Sequence, residues 1–348
     1  MKRVFVGLSG GVDSAVSAAL LKSKGYDVVG AFIKIWQPEF IECTWREDRL
    51  DAMRVAVALG IPFKEIDLSE SYKKRVVEDM LKNYALGVTP NPDVLCNRYI
   101  KFGDFLDWAE SEGADFIATG HYARVNFEEG KHVLLRGVDH NKDQSYFLYT
   151  LTESILAKTL FPIGGMKKGE VRAFAKRFHL PNAERPDSQG LCFIGEVSMK
   201  DFLARFISTK PGLVLDMKGK IIGEHGGAAL YTVGQRHGFS TKAGIEGKQY
   251  YIVATDVVAN TLYVSMSRED AAHSEVAIAD MHWIGDAPPI PFACETETRY
   301  RETPVSAEIF EVDGKTRVKF EKKHIAAPGQ SLVIYKGDSC LGGGIILN

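Results

Sequence analysis

No apolar run in the 348-residue sequence reaches membrane-spanning length, for which about 20 apolar residues are needed. Met1-Lys2-Arg3 leads straight into the apolar Val4-Phe5-Val6, not into a secretory leader. Cysteines number five, an odd count with no C-x-x-C pair. That excludes a disulfide scaffold and a zinc ribbon, and it fits a reducing, cytoplasmic setting. Charge is nearly balanced, at a formal −2, so the whole chain exerts no general pull on nucleic acid; such a partner needs local patches. There is no internal repeat and no low-complexity tract. At 45% apolar, the chain can bury more than one core, and two or three domains are expected.

The clearest positive signal is Leu8-Ser9-Gly10-Gly11-Val12-Asp13-Ser14, which follows Val4-Phe5-Val6 and opens a helix. Behind it, Val16, Ala19 and Leu20 fall on one helical face, and Gly25 ends the run. A strand, a glycine turn and a helix N-terminus together make an anion site, because backbone N–H groups point outward and the helix dipole favours negative charge. Gly10 and Gly11 allow close backbone approach to phosphate, while Ser9 and Ser14 add hydroxyl donors. Asp13, a carboxylate beside phosphates, makes sense as a Mg2+ ligand. No Gly-Lys-Ser/Thr closes the loop, so this is not a Walker sequence. It resembles the SGGxDS loop of the ATP pyrophosphatases, which implies ATP bound through its β,γ-phosphates and a substrate adenylated with release of pyrophosphate. A plain glycine turn with a capping Ser or Asp is the alternative.

The first half alternates strand and helix. Asp27 to Ile33 reads as a second strand and Phe63 to Asp67 as a third, with Ala52, Val55, Ala56 and Leu59 marking the helix between them. Val77, Met80, Leu81 and Tyr84 mark another helix, and Phe102, Phe105, Leu106 and Ala109 one more, before the strand Phe116 to Thr119. This is a doubly wound parallel α/β sheet, whose ligands should sit at the carboxyl ends of the strands. Gly7 to Ser14, Ile33 and Gly120-His121 occupy such ends.

Two stretches carry cysteine in unusual surroundings. In Thr89-Pro90-Asn91-Pro92-Asp93-Val94-Leu95-Cys96-Asn97, two prolines stiffen a loop that is either functional or simply a capped helix start with a small buried cysteine. In Asp187-Ser188-Gln189-Gly190-Leu191-Cys192-Phe193-Ile194-Gly195, glycines bracket Cys192. Between these stretches, Val171, Phe174, Ala175 and Phe178 make a helical core face. Lys168, Arg172 and Lys176 form a basic stripe beside it, read as a solvated face or an RNA-backbone contact.

Taken with Ala118-Thr119-Gly120-His121-Tyr122, Asn141-Lys142-Asp143-Gln144-Ser145-Tyr146-Phe147-Leu148, Gly234-Gln235-Arg236, Thr298-Arg299-Tyr300-Arg301, Pro328-Gly329-Gln330-Ser331 and Cys340-Leu341-Gly342-Gly343-Gly344-Ile345-Ile346, these motifs resemble the tRNA-specific 2-thiouridylase family over essentially the whole chain. The one departure lies between Trp36 and Cys43 and touches no catalytic residue. The resemblance implies an ATP-dependent sulfurtransferase that replaces the C2 oxygen of the wobble uridine, position 34, of Lys-, Glu- and Gln-type tRNAs. It implies a persulfide on Cys192, with Cys96 as the nucleophile that releases the sulfur and Asp93 as acid/base. Cys96 would end in a disulfide with Cys192 or after freeing hydrosulfide, and a labile iron–sulfur cluster held by Cys96, Cys192 and a carboxylate is an open alternative. ATP would lie on Gly7, Leu8, Ser9, Gly10, Gly11, Val12, Asp13, Ser14, Ile33 and Gly120. The tRNA would meet Asn91, Pro92, Asp93, His121, Lys142, Asp143, Gln144, Arg299, Tyr300 and Gln330, its target base flipped from the anticodon stack. A cysteine desulfurase or sulfur-relay protein would supply sulfur to a monomer.

Beyond about residue 200, short strands follow one another between glycine turns, namely Leu213–Asp216, Lys220–Gly223, Tyr250–Thr255, Leu262–Ser265, Val276–Ile284, Phe292–Arg301, Val305–Val312, Thr316–Phe320 and Ser331–Tyr335. Asp313-Gly314 is a good hairpin turn. The expected division is a catalytic domain over 1–200 with a tRNA-contacting insertion, a small mixed domain over 201–276 and a β-barrel over 277–348. Cys294 and Cys340 read as packed residues, and Cys43 has no assigned role. Two rival functions exist: an ammonia-using ligase that shares the loop, and a non-catalytic RNA-binding protein. The cysteine-bearing loops count against the first, and the intact loop with both cysteines against the second.

Overall fold

The computed structural model describes residues 1–40, 45–187, 197–242 and 248–347. Cys43 and the segment bearing Cys192 lie outside the described residues. The first domain is built on a parallel sheet of β1 (Arg3–Gly7), β2 (Asp27–Lys34), β3 (Phe63–Asp67), β4 (Phe116–Ala118) and β7 (Thr159–Leu160), in the order β3-β2-β1-β4-β7. Central β1 is apolar without alternation because both its faces are covered. Val4 and Val6 join one cluster with Val16, Val55 and Val171, while Phe5 joins another with Phe102, Phe105 and Ile117. The first cluster is closed by α1 (Val12–Ser23) and α2 (Trp45–Leu59). On the far face lie the helices α3 (residues 69–85) and α4 (residues 92–111).

The spacing of apolar residues in the sequence predicts a separate helix around Phe102 to Ala109; the structure runs one helix through from Pro92. Its middle, Cys96–Asp104, is wound in wide π-type turns, a departure found often at functional positions. Asn91 caps its start by accepting a bond from Val94 N at 3.3 Å, with Pro92 in the first turn.

A hairpin absent from the sequence reading, β5 (Ala123–Glu128) and β6 (Lys131–Arg136), leaves the first domain and pairs with the C-terminal barrel. The middle domain has a mixed sheet in which β12 (Thr261–Ser265) runs parallel to β8 (Gly212–Asp216) and antiparallel to β11 (Tyr251–Asp256). The six antiparallel barrel strands are β13 (His273–Trp283), β14 (Phe292–Glu297), β15 (Val305–Val312), β16 (Lys315–His324), β17 (Ser331–Lys336) and β18 (Ser339–Ile346). Pairing of β13 with β18 closes them. The hairpin β5–β6 adds to β18 with Leu134 opposite Cys340. Asp313 and Gly314, both at positive φ, make the expected turn between β15 and β16. The strand expected to run to Arg301 stops at Glu297, because residues 298–301 turn, with Arg301 at φ +61°.

Candidate functional site

The loop after β1 folds on its own hydroxyls. Ser14 Oγ accepts from Ser9 N at 3.2 Å and donates to Gly11 O at 3.2 Å, while Ser9 Oγ accepts from Gly11 N at 3.3 Å. Gly10 sits at φ +77°, and a Cβ there would come within 2.6 Å of Asp48 O and 2.8 Å of Arg185 Nη1. Gly120, just past β4, is required for a different reason. Its Cβ would lie 2.7 Å from Ser14 N and 2.9 Å from Asp13 C, so the two loops touch backbone to backbone. Gly10 O accepts from Asn182 Nδ2 at 2.7 Å and Arg185 Nη1 at 3.3 Å, and Arg185 is itself held by Asp48 and Asp51.

Asp13 leans across the cleft. Its Oδ1 accepts from Tyr122 OH at 2.9 Å and from Lys168 Nζ at 2.7 Å. Burial, with Asp13 beside it, pushes the Tyr122 hydroxyl far above its usual range, so it is a donor. Lys168 also meets Asp187 Oδ1 at 2.9 Å; Arg172 meets the same oxygen at 2.7 Å, and Lys142 meets Asp187 Oδ2 at 2.6 Å. Burial would raise the Asp187 carboxyl, yet its bonds from Lys142 and Lys168 hold it well below the carboxylate range. Of the basic stripe Lys168, Arg172 and Lys176, only Lys176 is the expected solvated residue, paired with exposed Glu184. Lys168 and Arg172 turn inward to Asp187, because α5 (Lys168–Arg177) packs against α1. The sequence does not announce Tyr122, Asn182 and Arg185 as partners of the loop, or Asp187 as the partner of Lys168; only Tyr122 and Asp187 carry a signal, each lying in a recognised motif.

The Asn91–Asn97 stretch is gripped from all sides. Gln330 Nε2 donates to Thr89 O at 2.9 Å and Pro90 O at 3.3 Å, Thr89 N donates to Pro328 O, and Thr89 Oγ1 meets Thr232 Oγ1 at 2.9 Å. Asn97 Nδ2 donates to Phe147 O at 3.2 Å, and the Phe147 ring packs tilted against Tyr300 with centroids 4.4 Å apart. Burial pushes the Asp93 carboxyl up, with Lys101 opposing it. Cys96 is buried in the apolar cluster of Tyr72, Met80, Ile100 and Phe202.

Other residues expected to meet RNA have protein partners. Asp143 is buried and accepts from Gly137 N, Ser145 N and Ser145 Oγ, with Arg136 at 3.2 Å. Gln144 Oε1 accepts from Tyr122 N at 3.0 Å, and Arg299 donates to Val233 O at 2.8 Å. His121, between Phe102 and Phe161 and bonded to Thr119 Oγ1 at 2.7 Å, is kept neutral by burial. Ile33, at the end of β2, turns toward α3 and α4, and Gly7 ends β1. A cavity of about 520 Å³ lies across the sheet from Ile33, lined by Lys34, Trp45, Arg49, Glu65 and Asp67. Of its charged walls, Lys34 pairs with Asp67 and Arg49 with Glu65, and Arg46 lies over the Trp45 ring. It therefore does not displace the Ser9–Ser14 loop as the site. Among the described residues no group of three or more His, Cys, Asp or Glu could hold a metal ion, and no helix is long and apolar enough to cross a membrane.

The spans of three family descriptions match this chain in order: a tRNA methyl transferase HUP domain over residues 2–196, a tRNA methyl transferase PRC-barrel domain over 200–266, and an aminomethyltransferase β-barrel domain over 273–346. The chain is 45% identical to the tRNA-specific 2-thiouridylase MnmA of Burkholderia multivorans, across 99% of this chain and 93% of the relative. It is 46% identical to that of Cupriavidus metallidurans, across 99% of both, and 44% identical to that of Geobacillus thermodenitrificans, across 99% of this chain and 94% of the relative.

Proposed function

The chain belongs to the tRNA-specific 2-thiouridylase family, and from that premise we propose that it adenylates the C2 oxygen of the wobble uridine of tRNA with ATP and replaces it with sulfur. The matched descriptions speak of methyl transfer and the full-length relatives of thiolation. A phosphate-binding loop has no use in transferring a methyl group but is needed to activate a carbonyl oxygen. The loop geometry is the observation that carries the reading: Gly10 at positive φ, Ser9 and Ser14 bonded across the turn, and Gly120 against Ser14 N.

A carbonyl oxygen does not leave as oxide. Attack of uridine O2 on the α-phosphorus of ATP expels pyrophosphate and turns the oxygen into the leaving group AMP. The N-terminus of α1 and the loop amides suit the departing pyrophosphate. Asp13 offers one carboxylate, a donor set that Mg2+ accepts when phosphates complete its shell; Mg2+ there would neutralise charge on the phosphates.

The terminal sulfur of a Cys192 persulfide, loaded by a persulfide donor, attacks C2 and AMP leaves. Cys96 thiolate then attacks the Cys192 sulfur. That step forms a Cys96–Cys192 disulfide and leaves the C2–S bond on the uridine. Asp93, with its carboxyl raised by burial, is suited to hold or pass a proton beside the base. The test is single-turnover incubation with labelled persulfide donor. Cys192→Ser takes up no label, and Cys96→Ser takes it up without making 2-thiouridine. Label on Cys96 in the Cys192→Ser protein reverses the two roles.

A further inference from the structure

A closed ring of contacts joins the nucleotide loop to the Lys142–Gln144 segment. Asp13 holds Lys168, Lys168 holds Asp187, and Asp187 holds Lys142. Two residues along the chain, Gln144 bonds Tyr122 N, and the Tyr122 hydroxyl returns to Asp13. Both lysines of this ring meet a carboxylate. Lys168 is 14% exposed and Lys142 30%. Both are the groups that a polyphosphate and an RNA backbone would seek, from opposite sides of Asp187.

We infer that Asp187 is a positioning residue that neutralises Lys142 and, together with Asp13, Lys168, so that tRNA binds by drawing the Lys142 ammonium, and nucleotide by drawing the Lys168 ammonium, away from this shared carboxylate. The inference rests on the proposed tRNA substrate for its Lys142 arm and on nothing beyond the nucleotide loop for its Lys168 arm. Arg172 stays on Asp187 when the others leave, since it also donates to Ala183 O and Arg185 O. Two ligands competing with a shared carboxylate are linked energetically, and the linkage runs both ways.

The consequence differs from that of a structural ion pair. Asp187→Asn keeps the shape and removes the charge. It should bind Mg·ATP analogue and tRNA each about threefold more tightly, the scale of a partly screened ion pair. Its salt slope for tRNA should steepen by up to about 0.9. Turnover should fall, because the ring that aligns loop and segment is open. Asp187→Glu should return both affinities toward wild type. Lys142→Met should weaken ATP-analogue binding measured without RNA, because Asp187 then holds Lys168 more tightly.

Affinities that stay level or weaken in an Asp187→Asn protein melting at the wild-type temperature overturn the inference. So does Lys142→Met that leaves ATP-analogue affinity unchanged, a measurement available even where Asp187→Asn fails to fold. Thiolation by wild type, run in parallel, separates the two claims. Absence of 2-thiouridine there strikes the proposed reaction, while the RNA-free nucleotide titrations judge Asp187.

Discussion

In the Ser9–Ser14 loop the turn itself is closed by short-range hydrogen bonds, from Ser9 N to Ser14 Oγ and from Ser14 Oγ to Gly11 O. Among the described residues, side chains far along the chain reach only its Gly10 O and Asp13. At Gln330 the hydrogen bonds cross 241 and 240 positions of chain to Thr89 O and Pro90 O. Arg299 likewise reaches from the barrel to Val233 of the middle domain. The first region is a turn folded on its own serine hydroxyls and anchored at Gly10 O and Asp13 by side chains from the same domain. The second is a set of brackets by which later domains hold Thr89 and Pro90, at the entrance to the Asn91–Asn97 stretch, and each other. Gln330 thereby fixes the entrance to the stretch that carries Asp93 and Cys96.

The largest effects should come from the sites of chemistry. Cys192→Ser and Cys96→Ser should each reduce 2-thiouridine below detection in multiple-turnover assays. Asp13→Ala should lower ATP–pyrophosphate exchange about a hundredfold or more while leaving tRNA binding largely intact. A parallel loss of tRNA affinity would merge the two regions that the comparison separates.

Next in size is the exposure of Cys96. Its burial among Met80, Ile100 and Phe202 means that it must be uncovered to meet another sulfur. Alkylation of Cys96, followed by peptide mass spectrometry, should be slow in the free protein and at least several-fold faster with tRNA and ATP analogue. Equal rates would place the reactive thiol elsewhere.

Gln330→Ala should lower stability by about 1 kcal/mol, the worth of lost hydrogen bonds, seen as a lower Tm with unchanged ATP–pyrophosphate exchange. An unaltered Tm with weakened tRNA binding would make Gln330 a direct RNA contact instead of a bracket. The smallest expected effect is at Asp93. Its folded carboxyl is raised above the ordinary range by burial, so the folded state binds its proton more tightly than the unfolded state does. That contribution to stability is complete below the unfolded value of about 3.9 and is lost as pH rises through the folded value. Asp93→Asn should therefore gain stability on wild type as pH rises across that window, while losing activity. A gain that is independent of pH contradicts the assignment.

The difference between the two regions also explains what the sequence revealed. The turn of the loop and the Asp313-Gly314 turn are set by neighbours in the chain, and the parallel sheet is legible because Val4-Phe5-Val6 announces a central strand by its composition. The β5–β6 hairpin is less visible, because Glu129-Gly130 is a weak turn signal and its pairing lies about 200 residues away, at Ser339 and Cys340. Lys168 and Arg172 looked like a surface stripe because periodicity identifies a face but not what stands opposite it. Asp187, which turns them inward, comes from a glycine-rich segment with no period to read.

The central claim is that the loop activates a uridine carbonyl for sulfur. Its most direct measurement is nucleoside mass spectrometry of unmodified tRNA incubated with this protein, ATP, Mg2+ and a persulfide donor. The account predicts 2-thiouridine at the wobble position, formed with AMP and pyrophosphate and absent without ATP. Sulfur incorporated without ATP, or ATP split to AMP with no thiolated nucleoside, would contradict it.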